Sequence, residues 1–169
     1  MSGFAKLTPA FTVQVPIAPP RQAGVLSTGG PLIHVGFLEG QGGITPEPNY
    51  PIALDATWVH GADYIKGDPD GEHFRLDVDS LAEDKKTGGL VRFRYTGVVD
   101  MGSPAGKVLR GEADAVTTPF GDIFTHAKFE TGHPDLKAVE NKVYVGSGRF
   151  VLEAGKPVVV EYKISEVSY

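Results

Sequence analysis

The residues best suited to acid–base chemistry lie on one predicted hairpin, formed by residues 53–79. Asp63 and Asp77 are carboxylates on its two predicted strands. A carboxyl group placed in an apolar cavity has its pKa raised by desolvation, which suits proton transfer near neutral pH. Either aspartate is therefore a candidate general base. The neighbouring aromatic residues on the same hairpin are Trp58, His60 and Tyr64.

Further candidates lie on later strands. Glu130 is a reserve base, and Tyr95 and Arg92 are donors that could stabilise negative charge developing on an oxygen atom. Tyr95 shares the parity of Phe93, so we expect it to point inward, either as a satisfied core group or as a donor to a ligand carbonyl. The alternative for Asp77 and Arg92 is pairing across strands on the solvent face, where such pairs contribute little.

Aromatic side chains should surround these groups. The predicted substrate-binding residues are Trp58, His60, Tyr64, Phe93, Phe124, His126, Phe129 and Tyr144. In a hollow barrel, core and cavity lining are the same surface, so both interpretations stay open for them. Two of the five histidines could meet in the fold and bind a metal, but separate hydrogen-bonded histidines are the interpretation adopted, and we expect no metal.

Several chemistries lack their usual motifs. The chain has no cysteine, which excludes thiolate catalysis and cysteine-based zinc sites. No glycine-rich loop leads into a predicted helix, so the sequence lacks the usual motif for binding a phosphate group or a dinucleotide. Ser147 lies in a Gly-Ser-Gly segment that differs from the nucleophile elbow of hydrolases. We therefore expect a protein that works without a cofactor.

Composition and net charge narrow the possible classes of protein further. The 169 residues, of which 41% are hydrophobic, are enough for one domain with an ordinary core, spanning residues 1–169. The net charge of −5 argues against nucleic-acid binding. The sequence contains no run of 18 apolar residues, so it predicts no membrane-spanning helix. The first residues lack a basic region followed by an apolar run, so we expect no signal peptide and a cytoplasmic protein.

The pattern along the chain predicts short strands. The 22 glycines and 13 prolines interrupt it every few residues, and apolar and polar residues alternate between them. Besides the two strands of the hairpin, predicted strands cover 11–15, 32–38, 90–99, 107–116, 123–131, 142–152 and 157–167, with loop elaborations at 17–31 and 41–51 and a helical turn at 134–140. Because barrel closure removes exposed edges, the expected fold is all-β: a single antiparallel eight- to nine-stranded barrel with an apolar cavity.

Four segments resemble a known family. They are GADYIKGDPDGEHFRLDVD at residues 61–79, FETG at 129–132, VYVGSGR at 143–149 and VEYKISEV at 160–167. In order and spacing they resemble the uncharacterised family called domain of unknown function 3237, over roughly residues 30–167. The resemblance implies a barrel similar to those of allene oxide cyclase and dirigent proteins, which are cofactor-free and commonly oligomeric. Tyr64 and Asp79 depart from the family pattern, where tryptophan and arginine are usual.

These observations together lead to one functional expectation. We expect a cofactor-independent isomerase or cyclase that acts on a small aromatic, polyketide- or flavonoid-like substrate held in the barrel. A lipocalin-like binding protein for a small hydrophobic ligand is one alternative, and an assembly subunit whose barrel is filled by its own side chains is another. Apolar residues on both faces of several strands predict a homodimer or trimer.

Overall fold

The structure is a computed structural model that describes residues 3–169, so the first two residues of the predicted domain lie outside the described part. Strands make up most of it. They are β1 (Lys6–Pro16), β2 (Arg21–Val25), β3 (Pro31–Gly36), β4 (Gly43–Pro46), β5 (Ala56–Gly67), β6 (His73–Asp84), β7 (Leu90–Asp100), β8 (Ile123–Glu130), β9 (Tyr144–Val151) and β10 (Val159–Ser168). A six-residue helix, α1 (Pro104–Leu109), follows β7, and a 3₁₀ helix covers Pro134–Asn141.

The strands form one antiparallel sheet that closes into a barrel. Its order is β2-β3-β5-β4-β1-β10-β9-β8-β7-β6, and pairing of β6 with β5 completes the ring. The short strands β3 and β4 lie along the same edge of β5, and β4 continues the ring to β1. The closed ring therefore has eight strands, and β2 and β3 extend the sheet beside β4, which confirms the predicted all-β barrel.

Alternation along each strand separates a buried interior from a charged exterior. On β7 the side chains of Val91, Phe93 and Tyr95 are buried, whereas Arg94 between them is exposed. A period of two residues is the geometry of a strand, so this pattern alone turns the apolar residues inward. Burying them inside the ring supplies most of the hydrophobic stabilisation of the domain.

One end of the barrel is filled by aromatic rings. Phe93 lies 4.8 Å from Phe129, and Phe129 lies 5.0 Å from Tyr144, measured between ring centroids. Phe11 and Tyr50 extend the cluster, with ring centroids 5.0 Å apart. The Tyr50 hydroxyl group donates a 2.6 Å hydrogen bond to Glu166 and thereby ties the loop before β5 to the end of β10. Aromatic rings therefore occupy much of the interior at this end.

Toward the opposite end, β9 has a glycine at an interior position. Gly148 of β9 lies so close to the ring of Tyr162 that an added Cβ would be 2.5 Å from it. Helix α1 packs against β7 and β9 at this end. Within residues 3–169, neither helical segment is long and apolar enough to span a membrane.

Three local predictions are corrected by the structure. Residues 107–116, predicted as a strand, contain the end of α1 and a loop, because Pro104 at the first helical turn favours a helix that the pattern of apolar residues did not indicate. The predicted loops 17–31 and 41–51 contain β2 and β4. Both strands are short, and every residue of β2 is exposed, so no alternation of burial distinguishes it from a loop.

The two ends of the barrel lead to a stability prediction. Replacing Phe93, which is fully buried in the aromatic cluster, with alanine should lower the free energy of unfolding by about 3–5 kcal/mol, because it leaves a cavity. The matched control is Phe124→Ala on the outer face, where the side chain is 54% exposed and the loss should stay below about 1 kcal/mol. Urea denaturation measures both, and equal losses would contradict the assigned faces.

Candidate functional site

A cavity of about 390 Å³ occupies the barrel end opposite the aromatic cluster. It lies where β1, β5, β7 and β9 end and where β6, β8 and β10 begin. Val108 and Leu109 of α1 and the Pro19–Pro20 segment contribute to its lining. Apolar side chains make up most of its inner wall: Val15, Val35, Ile65, Leu76, Val99, Ile123, Phe150 and Val160. Its volume and apolar lining are typical of a site for one small molecule.

Three polar side chains project into this apolar space: Asp63 of β5, Tyr95 of β7 and Tyr162 of β10. Asp63 is only 8% exposed, and both tyrosines are buried. The rings of Tyr95 and Tyr162 lie 5.0 Å apart between centroids. One carboxyl and two phenol groups thus meet in a site that otherwise presents few polar atoms.

A β-bulge turns Asp63 inward. The register between β5 and β6 shifts between Trp58 and His60, so one extra residue lies in β5 at that point. Trp58 and Asp63 are five positions apart and would face opposite sides of a regular strand. Because the bulge adds one residue, both side chains point into the barrel.

The Asp63 carboxyl also takes part in the barrel wall. Its Oδ1 atom accepts a 2.9 Å hydrogen bond from the backbone N–H of Asp77. The paired positions of β5 and β6 run as far as Asp63–Val78 and resume at Lys66–Arg75. The carboxyl thus serves as acceptor where the regular pairing of the two strands is interrupted, which fixes its orientation toward the cavity.

Burial dominates the electrostatics of Asp63. Desolvation raises the pKa of its carboxyl from the usual 3.8 to about 7, and the nearby Asp77 carboxylate acts in the same direction. The hydrogen bond from the Asp77 N–H opposes this rise but does not cancel it. A group with this pKa exchanges protons readily near neutral pH, as a general base or acid must.

Burial also keeps the two tyrosines protonated. Desolvation raises the pKa of Tyr95 and of Tyr162 well above the usual value of 10, and the negative charge of Asp63 contributes to both shifts. Both hydroxyl groups therefore carry their protons throughout the physiological range. They are fixed hydrogen-bond donors in a water-poor site.

The other predicted catalytic residues lie on the outer surface. Asp77 is half exposed and lies 3.9 Å from Lys66. Arg92 donates to Asp79 at 2.8 Å and to Glu130 at 3.1 Å. The strand period explains this placement, because each of them alternates with an inward apolar residue. The structure therefore brings Asp63 and Tyr95 together and leaves Asp77, Arg92 and Glu130 outside.

The predicted binding residues divide between the core and the surface. Trp58, Phe93, Phe129 and Tyr144 are fully buried, but they pack in the aromatic end and do not line the cavity. His60, Tyr64, Phe124 and His126 point outward: Tyr64 packs against His34, and His60 lies 3.4 Å from Glu39. Sequence reasoning missed Tyr162, although its alternation with the buried Val160 and Ile164 in β10 was a usable signal.

A larger groove of about 700 Å³ lies mainly on the outer face of the barrel. Phe124, His126 and Asp77 contribute to it, together with Leu7 and Lys163. Its side chains are largely exposed, so its ionisable groups stay hydrated, and the inner cavity is the better candidate for chemistry. The predicted homodimer or trimer, which could cover such an outer surface, stays a prediction.

Among residues 3–169, no group of three or more histidine or acidic side chains is arranged to hold a metal ion.

Comparisons with known proteins point to one family. The family described as "Protein of unknown function (DUF3237)" matches residues 5–167. No curated protein matches the chain.

Solved structures share the fold. A conserved protein of unknown function from Rhodopseudomonas palustris is similar, with a TM-score of 0.75 and 22% identity over 98% of this chain and 99% of that one. A β-barrel-like protein from Acinetobacter baumannii has a TM-score of 0.71 and 20% identity over 99% of both chains. A protein of unknown function from Clostridium acetobutylicum has a TM-score of 0.70 and 14% identity over 99% of this chain and all of that one.

The raised pKa of Asp63 leads to a prediction about stability and pH. A carboxyl with a higher pKa in the folded than in the unfolded state lowers stability progressively as pH rises from about 4 to 7. Asp63→Asn should therefore be more stable than the wild type above pH 7, by up to about 4 kcal/mol at about 1.4 kcal/mol per pKa unit. The gain should be small near pH 4 and vanish below about pH 3, where the wild-type carboxyl is protonated in both states.

Urea denaturation between pH 4 and pH 8 measures this difference. The control is Asp70→Asn in the exposed turn between β5 and β6, which retains a carbonyl acceptor for the Glu72 N–H and should show no such trend. Asparagine at position 63 likewise retains an acceptor for the Asp77 N–H. A wild type more stable than Asp63→Asn at pH 8 would refute the raised pKa.

Proposed function

We propose that this chain, which belongs to the family of proteins of unknown function DUF3237, is a cofactor-independent isomerase or cyclase. Its substrate is a small hydrophobic carbonyl compound of the aromatic, polyketide- or flavonoid-like class, and the reaction is a proton transfer next to the carbonyl group. The observation that carries the proposal is the meeting of Asp63 with Tyr95 and Tyr162 in an apolar cavity of about 390 Å³.

Asp63 is the base. Its carboxylate removes a proton from the carbon next to the substrate carbonyl, and the electron pair of that C–H bond moves onto the carbonyl oxygen. The raised pKa of Asp63 matches this role, because a general base works best when its pKa lies near the operating pH. The N–H of Asp77 holds one carboxyl oxygen, which leaves the other for the substrate.

The tyrosines stabilise the enolate. A hydroxyl group of Tyr95 or Tyr162 donates a hydrogen bond to the negative oxygen as charge develops there. Such a donor is most effective when it is already oriented and shielded from water, and both hydroxyl groups are buried. Where a second double bond of the substrate is conjugated with the enolate, the protonated Asp63 then returns its proton to the far carbon of that double bond. The electron pair for the new C–H bond comes from the conjugated system and the carbonyl group re-forms, which completes a double-bond isomerisation. Addition of a phenol oxygen to an enone would use the same groups and close a ring.

The alternative is a carrier that binds an apolar molecule without transforming it. Most of the cavity lining is apolar and would suit any hydrophobic ligand, which favours this alternative. A carrier of neutral apolar molecules, however, has no need of a carboxyl group whose burial lowers stability. Asp63 is therefore the residue on which the two functions differ.

Hydrogen–deuterium exchange of a model ketone tests the catalytic proposal. The substrate is 2-tetralone, a bicyclic ketone with acidic protons next to its carbonyl group, and NMR in deuterated buffer at pH 8 follows the loss of those protons. The wild type should accelerate exchange above the buffer rate. Asp63→Asn should lower the protein-catalysed rate by on the order of 10²–10⁴, because the base is lost.

Two further variants make this result specific. Tyr95→Phe should produce a smaller loss, since Tyr162 still offers a donor. Glu130→Gln removes an exposed carboxylate on the outer face and should leave the rate unchanged. Equal exchange rates for the wild type and Asp63→Asn would show that Asp63 is not a base, and the carrier would become the better account.

A further inference from the structure

Asp63 is the one side chain with a formal charge among the described residues that line the inner cavity. The lining contains no lysine, arginine or histidine, and its other polar side chains are the phenol groups of Tyr95 and Tyr162. The carboxyl accepts one backbone N–H, and no cationic group of residues 3–169 lies within 4.0 Å of it. When it is ionised, its negative charge in the apolar cavity is uncompensated.

An uncompensated buried charge selects the charge of a ligand. The free energy cost of removing the carboxylate from water is already present in the free protein, so a positive ligand group gains the attraction and bears only its own desolvation cost. A negative ligand group is repelled and finds no cation in the lining. A neutral ligand of the same shape gains the apolar contacts alone.

We propose that this cavity binds lipophilic amines, in which an ammonium group on an apolar body of about two fused rings pairs with the Asp63 carboxylate. The rings of Tyr95 and Tyr162 lie beside the same space and add the attraction of aromatic faces for a cation. The inference uses the cavity of the proposed function but does not require that Asp63 catalyse a reaction. It adds a class of ligand that the proposed carbonyl chemistry does not include.

The pairing depends on pH through Asp63. An alkyl ammonium group has a pKa of about 10 and stays charged below pH 8. The Asp63 carboxyl becomes protonated below about pH 7, so amine affinity should fall as pH decreases through this range. The other ionisable groups facing Asp63 are Asp77 on β6, whose carboxylate lies outside the wall, and the uncharged Tyr95 on β7 and Tyr162 on β10.

Three naphthalene probes of matched shape test the inference. They are 1-naphthylmethylamine, 1-naphthalenemethanol and 1-naphthoate, which are cationic, neutral and anionic at pH 8. Calorimetry with the wild type should show the amine binding about tenfold or more tighter than the alcohol, with the naphthoate weakest. Lowering the pH to 6 should reduce the preference for the amine without changing the affinity of the alcohol.

Variants separate a specific ion pair from the general field of an acidic protein. Asp63→Asn should abolish the preference for the amine while the alcohol still binds. Glu130→Gln changes the net charge by the same amount on the outer face and should retain the full preference. Circular dichroism confirms that both variants are folded.

The outcomes distinguish this inference from the proposed function. If the alcohol or the naphthoate binds the wild type as tightly as the amine, the inference is wrong, while Asp63-dependent exchange of 2-tetralone can still establish catalysis. If the amine preference depends on Asp63 but exchange does not, the cavity is an amine site and the catalytic proposal fails. If none of the three probes binds, the cavity is not a site for ligands of this class and the inference is refuted.

Discussion

The carboxyl group of Asp63 has two structural roles in a barrel wall that is otherwise held together by backbone hydrogen bonds. It accepts the N–H of Asp77 where the pairing of β5 and β6 is interrupted, and it projects into an apolar cavity. The first role holds the group in place, and the second raises its pKa by removing it from water. A carboxyl group whose pKa is strongly shifted by burial in a cavity is a candidate functional residue, which makes Asp63 the centre of the candidate site.

The two ends of the barrel explain why a cavity forms beside this group. At one end, large rings fill the interior, and Phe93 packs against Phe129 at 4.8 Å. Toward the other end, β9 has Gly148 at an interior position, and this glycine leaves the space that the ring of Tyr162 occupies. Tyr162 can therefore lie against the wall beside Tyr95 instead of filling the centre. The missing side chain of Gly148 thus helps to keep space open at this end of the barrel.

Much of the fold could be predicted from the sequence, because the period of two residues is a local property of each strand. It was harder to predict which face of a strand points inward. Parity shows which residues share a face, but a single bulge reverses the faces of all residues that follow it. Trp58 was placed with Tyr64 on one wall, but the bulge before His60 turns Trp58 and Asp63 inward together. Asp77 lies between the buried Leu76 and Val78, so its pattern indicated the outer face, and its place on the same predicted hairpin as Trp58 and Tyr64 kept it as a candidate base. Which buried residues line the cavity depends on how side chains pack across the barrel, and no local pattern encodes this.

The most direct test of this account is the titration of the Asp63 carboxyl carbon by ¹³C NMR, with its signal assigned by comparison with Asp63→Asn. The account predicts a titration midpoint near 7, because burial disfavours the charged form. A midpoint near 4 would mean that the carboxyl is solvated or compensated in the folded protein. Asp63 would then have neither the basicity nor the uncompensated charge on which the proposed chemistry depends.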